Sequence, residues 1–413
     1  MKVSLCLWGF CLLDPQERVV PMRIMLLNVA KMVQDSGGLS KVTCAFANEM
    51  ERRGHEVSLV YSDDRQGETF FPLSSAVRAY NLRHYGGQQH TFPLHLKIKR
   101  EVMRAVDQRR GRAVNNQFTR ENLIAPLRAI LTKEEPEVIV ASQPAGAEAA
   151  LVDAGTKTPV ICMSHGDPED YFHTYPPEEI SALKRCACCQ VLLPSFAEHL
   201  NSHLPDMRTV VIGNVVPQYE MKNDMSVPKS RYKIIFLGRL VRNHKRPHLL
   251  IRAFARLADK FPAWDVELWG AEDRKSYTRE LKNLIRKHGL NDRIRFCGTT
   301  SDVESVYRSG DVFAFPSAYE GFGLTLAEAM SMGLPAVGYR NCSAVNELIR
   351  DDENGLLCED GDQALAESLA RLMRDPGLRS RLGKQAHLDM QAYAAEGIWE
   401  SWESLLQSVS NER

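Results

Sequence analysis

VFAFPSAYEGFGLTLAEAMSMGLPAVGYR, residues 312–340, reads as strand, loop, helix and strand again. VFAFPS (312–317) is a short apolar run of the kind that makes a buried strand, and Pro316 and Ser317 stop it. A loop carrying Glu320 follows, with Gly321 and Gly323 on either side of Phe322. A helix opens near Leu324-Thr325, carries Glu328 and is terminated by Gly333, and PAVGYR (335–340) returns as a strand. Such a unit makes two parallel strands joined by a crossover helix. The same alternation runs outward from it: KIIFLGR (233–239), DVELWG (265–270), RIRFCG (293–298) and GLLCE (355–359) read as strands around intervening helices. The helix from about Asp302 to Ser309 is expected to begin with a capping box over Ser301–Glu304, and Asp360-Gly361-Asp362 reads as a turn and N-cap for the helix over 363–374.

The first half repeats the pattern with RIMLLN (23–28), VSLVYS (57–62), EVIVAS (137–142), PVICMSHG (159–166), QVLLPS (190–195) and TVVIGN (209–214). Between the halves, VVPQYEMKNDMSVPKS (215–230) breaks it with two prolines and polar residues. The expectation is an α/β chain of two doubly wound, Rossmann-like domains facing across a cleft. Its parts are an N-terminal domain at 22–215, a linker at 216–230, a C-terminal domain at 231–390, and a helix at 391–413 that packs back across the junction. Residues 1–21 resemble the start of a secretory signal but lack a small-residue cleavage site, so they read as a disordered extension or an upstream start codon.

Composition narrows the function. Lys plus Arg and Asp plus Glu are both 52, and this zero net charge argues against a dedicated nucleic-acid binder. No apolar run reaches the roughly 18 residues of a membrane-spanning helix, so the chain reads as soluble and cytoplasmic. The ten cysteines form no disulfide framework. Cys186, Cys188 and Cys189 lack a second ligand group, as do His244 and His248, so no metal is expected. There is no G-x-G-x-x-G after the opening strand, no phosphate-binding G-x-x-x-x-G-K-[ST] and no G-x-S-x-G nucleophile elbow.

What remains is the 312–340 stretch. Free N–H groups at a helix start among glycines make an anion site, and Glu320 and Glu328 flank it. One carboxylate suits sugar hydroxyls, the other a ribose diol. Gly238-Arg239 ends the first strand of the second domain and Lys245 follows, two cations able to neutralise a diphosphate. Gly298 ends the third strand at the same rim, where main-chain groups could read a nucleobase edge.

These residues, with Gly37-Gly38 after the first strand, His165 in CMSHG and Asn214 ending VVIGN, resemble the family 4 retaining glycosyltransferases of the GT-B fold. The E-x7-E motif of that family appears as Glu320 to Glu328, and the resemblance runs from Met22 to about Glu400. It implies that Arg239 and Lys245 bind the donor diphosphate with the amides of Phe322, Gly323, Leu324 and Thr325. It further implies that Glu328 holds the ribose, that Glu320 holds the 3- and 4-hydroxyls of the donor sugar, and that His165 lies near its C6 hydroxyl. Gly238 and Gly298 would line the donor site, and Gly38 would let phosphates approach. No cofactor is implied, because the nucleotide sugar is a substrate. Where the family usually has Gly-Val-Asp after the asparagine, this chain has Val215-Val216-Pro217.

The acceptor, a glycan, lipid-linked glycan or small molecule, belongs to the first domain. Between Arg83 and Arg120 stand nine Lys or Arg and two acidic residues. Within 94–112, apolar residues alternate with these cations. The segment reads either as a solvated helix with one core face or as a peripheral contact with an anionic membrane at its inner face. Two alternatives keep the fold: a catalytically silent partner subunit, and a nucleotide-sugar epimerase or hydrolase.

Overall fold

The computed structural model describes residues 20–35, 37–221 and 227–412; residues 1–19, where the signal-like extension was read, lie outside them. Among the described residues, thirteen strands form two sheets, both wholly parallel. In the first, β1 (Arg23–Asn28), β2 (Glu56–Tyr61), β3 (Arg78–Asn81), β4 (Val138–Ala141), β5 (Val160–Met163), β6 (Cys188–Val191) and β7 (Thr209–Val211) lie in the order β3-β2-β1-β4-β5-β6-β7. The second contains β8 (Tyr232–Leu237), β9 (Trp264–Trp269), β10 (Ile294–Gly298), β11 (Val312–Phe315), β12 (Ala336–Tyr339) and β13 (Gly355–Cys358), ordered β10-β9-β8-β11-β12-β13. Each sheet reverses its order beside its first strand. A parallel sheet binds ligands at such a switch point, beyond the carboxyl ends of its strands. The two-domain α/β architecture read from the sequence is therefore present.

The inner strands β1, β4, β5, β11 and β12 are mostly apolar because both faces of each sheet are covered. Successive side chains point to opposite faces, so Ile24 and Leu26 enter one core while Met25 and Leu27 enter another, and Val138 and Val140 divide from Ile139 and Ala141 in the same way. Some local expectations need correcting. β3 escaped the sequence reading because RAYN is an exposed edge strand with no apolar alternation. Pro194 and Ser195 open the helix Pro194–His203 instead of ending a strand. The helix Val303–Ser309 is capped by Asp302, whose carboxylate accepts from the Ser305 amide. Gly361 precedes the helix Asp362–Arg374 without a side-chain cap; Asp360 is paired with Arg246 at 2.9 Å and Asp362 with Arg256 at 2.7 Å.

The helix Ala395–Asn411 lies on the first domain. Trp399 and Trp402 stand edge-on to Phe46, with ring centroids 5.9 and 4.9 Å away. Arg53 reaches Glu396 and Glu403 at 2.8 Å each. The chain thus crosses between the domains twice. The two crossings are bonded side by side, Val216 N–H donating to the Tyr393 carbonyl at 2.9 Å and Gln218 Nε2 to the Met390 carbonyl at 3.0 Å. No helix among the described residues is long and apolar enough to cross a membrane.

Candidate active site

The helix Leu324–Ser331 begins at a glycine for a conformational reason. Gly323 has φ of +80°, which a side chain rarely tolerates. That turn brings the strand end at Phe315 round to a helix whose first amides have no partner within it. Two residues earlier, Gly321 touches the other domain, and a Cβ there would collide with the His165 carbonyl oxygen. The opposing loop, after β5, is held by an amide of its own, the Asp167 N–H donating to the Tyr319 hydroxyl at 3.1 Å.

Around this contact the structure gathers most of the residues singled out from sequence. Glu320 is buried and accepts from Lys245 Nζ at 2.6 Å. The ammonium also lies 4.6 Å from the centre of the Phe315 ring, and its stem packs against Gly238. Arg239 is exposed, and among the described residues its guanidinium has no hydrogen bond or ion pair. Glu328, one turn into the helix and buried, is held by the Tyr307 hydroxyl at 2.9 Å and, across the cleft, by Lys41 Nζ at 3.0 Å. Gly38 opens the helix that carries Lys41, and a Cβ there would meet nothing within 4 Å, so packing does not demand the glycine. Gly298 sits at the far rim, exposed, with its carbonyl taken by the Gly270 amide at 2.7 Å.

Seven buried side-chain polar atoms have no hydrogen-bond partner among the described residues. Four of them, His165 Nε2, His244 Nε2, Ser317 Oγ and Thr325 Oγ1, belong to the loops and helix start around Glu320. Buried polar groups are normally paired, so this concentration marks a place that expects a polar ligand. Burial pushes the His165 ring down to about 4, leaving it neutral at pH 7. His165 and Tyr319, with Leu39, Ser142 and Asp170, line a cavity of about 250 Å3. Sequence reasoning did not single out Lys41, Tyr307 or Tyr319, and considered His244 only as a metal ligand. Lys41 had a signal, lying one turn into the helix opened by Gly38. Tyr307 had none, because only the fold carries it to Glu328. Among the described residues no group of three or more His, Cys, Asp or Glu side chains could hold a metal ion.

Two facing doubly wound domains, with paired carboxylates and cations at one open helix start, define the GT-B class of architecture. The model of the family described as "Glycosyl transferase 4-like domain" matches residues 37–214, and that described as "Glycosyl transferases group 1" matches 217–389. The chain belongs to the family 4-type glycosyltransferases. Its similarity to the D-inositol 3-phosphate glycosyltransferase of Salinispora tropica is 34% identity over 185 residues, 43% of this chain and 37% of that one. The chain spans between about a fifth and a half of the length of the curated relatives it matches. Among solved structures, sucrose-phosphate synthase of Thermosynechococcus elongatus superposes with a TM-score of 0.74 at 17% identity, over 95% of this chain and 100% of that one. HepE of Anabaena, in complex with UDP and glucose, gives 0.68 at 18%, over 94% and 100%.

Proposed function

We propose that the chain transfers a hexose or N-acetylhexosamine from a nucleoside diphosphate sugar to a glycan, lipid-linked or small-molecule acceptor, with retention of configuration and without a metal. The observation that carries this is the 2.6 Å pair of Lys245 and Glu320 beside the open helix start. An ammonium has three donors; Glu320 takes one, leaving two for the departing diphosphate. Arg239 adds a free cation, and the amides of Phe322, Gly323, Leu324 and Thr325 add neutral donors. Glu320 keeps lone pairs for the sugar hydroxyls, Glu328 for the ribose, and the neutral His165 ring can meet the C6 hydroxyl. The acceptor hydroxyl attacks on the face the diphosphate leaves, and a diphosphate oxygen takes its proton. Catalysis is then positioning together with stabilisation of leaving-group charge. Uridine is the preferred base because a neighbour in fold was solved with UDP.

The reading extends to a cytoplasmic membrane face. The helix Leu94–Val106 has no buried residue. Leu94, Ile98, Val102 and Val106, at four-residue spacing, are all more than half exposed. Lys99 borders that stripe on one side and Glu101, paired with Arg100 and Arg104, on the other, while Leu96 and Met103 pack on the core. An apolar stripe on a helix with four Lys or Arg and one carboxylate suits an anionic bilayer surface.

Thermal unfolding with UDP, GDP, ADP and their sugars, in EDTA, tests the donor reading. A ligand at a hundred times its dissociation constant adds about 2.7 kcal/mol to stability, so one base should stand out. No shift with any of them would return the chain to the silent-partner alternative, and a shift only with added magnesium would refute metal independence.

A further inference from the structure

A second cavity, of about 230 Å3, lies at the switch point of the first sheet. Val29 and Ala30, just beyond β1, form one wall, Gln143 and Ala145, just beyond β4, another, and the helix Gln108–Asn122 closes it. Its charged groups are already engaged with one another. Arg112 donates twice to Glu179, at 2.6 and 2.9 Å, and its guanidinium lies 3.5 Å from the centre of the Tyr175 ring. Arg120, from the same helix, holds Glu148 at 2.7 Å and Asp153 at 2.8 Å. Asn116 Nδ2 bridges Glu148 at 2.9 Å and Glu179 at 2.7 Å.

The groups left over are uncharged. Asn115, Thr119 and Gln143 line the cavity, and among the described residues their side chains make no hydrogen bond. Gln143 also lines the cavity that holds His165 and Tyr319, so it stands between this crevice and the loops of the active site.

We infer that this crevice seats the acceptor, and that the acceptor presents there a neutral polyhydroxylated ring, a sugar or cyclitol without phosphate. This rests on the transferase reading above and adds the chemistry of its second substrate. Amide and hydroxyl side chains both donate and accept, which is what a ring of hydroxyls needs. A phosphate needs an unspent cation, and the one cation in the lining, Arg112, is consumed by Glu179. Glu148 and Asp153 would repel a dianion and must stay partly desolvated beside it. Burial, with Asp153 and Glu179 close by, pushes the Glu148 carboxyl up to about 7, so the crevice already resists the negative charge it holds.

The test is saturation-transfer NMR on the whole protein with methyl α-D-glucopyranoside, methyl α-D-mannopyranoside and myo-inositol, each against its monophosphate. Release of the nucleoside diphosphate from the donor found in the nucleotide panel follows for the probes that bind. At least one neutral probe should receive saturation and its monophosphate little. The signal and the probe-stimulated nucleoside diphosphate release should fall at least fivefold in Asn115→Ala and Gln143→Ala. Asn115→Asp, which keeps the volume and adds a negative charge, should leave neutral binding within about threefold. Nucleotide-induced stabilisation should be unchanged in all three, which separates failure here from failure of the donor reading. Preferential binding of the monophosphates, no binding of any neutral probe, or neutral binding indifferent to both alanine variants overturns the inference.

Discussion

Replacing Lys245 by Met would strand a buried carboxylate. Methionine keeps most of the stem that packs on Gly238 and Phe315 but removes the ammonium, and Glu320 is only 6% exposed. At the observed 2.6 Å the attraction is about 6 kcal/mol at an effective dielectric constant of about 20. Desolvation of both ions offsets most of that, so the intact pair contributes little net stability. Breaking it from one side nevertheless costs about 3–5 kcal/mol, because the other charge stays buried. Lys245→Met should therefore lower the unfolding free energy of the second domain by at least about 3 kcal/mol. In a domain of this size that corresponds to a melting temperature roughly 6–12 °C lower. Urea unfolding reports it through Trp264 and Trp269, which lie on β9. In Lys245→Met/Glu320→Gln no charge is stranded, and at least about 2 kcal/mol should return. Turnover should separate from stability, staying down about 10²–10³-fold in both variants. A single variant within about 1 kcal/mol of the parent, or a double variant as unstable as the sum of its singles, would refute this account of the pair.

Three further outcomes follow from the geometry. Gly321→Ala places a methyl group against the His165 carbonyl; rigid-body opening relieves the clash, so small-angle scattering should show a larger radius of gyration and activity should fall at least tenfold, and an unchanged radius with full activity would contradict the close approach. His165 and His248 are each held down to about 4 by burial, while the unfolded chain takes their protons near pH 6.5, so acid favours unfolding across that window and stability rises with pH to a plateau near 7. His248→Gln should lessen the loss between pH 7 and 5 by about 1 kcal/mol after allowance for partial exposure, and parallel pH curves would count against it. Ile98→Asp/Val102→Asp should abolish pelleting with vesicles rich in phosphatidylserine and spare nucleotide binding; equal pelleting of parent and variant would remove the membrane reading.

The sequence disclosed what repeats and concealed what is local. A strand covered on both faces is apolar along most of its length, so β1, β8 and β11 declared themselves, whereas the exposed edge strand Arg78–Asn81 had no such constraint to display. The loop from Glu320 to Thr325 was readable because glycines at a strand-to-helix turn have few structural uses. The partners of Glu328 were not, since Lys41 lies 287 positions away and Tyr307 reaches it only once β8 and β11 are adjacent. The Asp360 and Asp362 cap failed for a related reason. Arg246 and Arg256, far away in sequence, offer these carboxylates a charge where the helix start offers only a partial one.

The return of the Ala395–Asn411 helix to the first domain bears on the order in which the protein can be made. On the ribosome the first sheet emerges complete, yet the core face beneath Phe46 stays uncovered until Trp399 and Trp402 have been translated, and the whole second domain is synthesised in between. The second domain can close on itself as it appears, while the first waits with an apolar surface bare. The half of the molecule that is translated first is thus the last to mature, and its exposure to chaperones and proteases lasts as long as the synthesis of its neighbour.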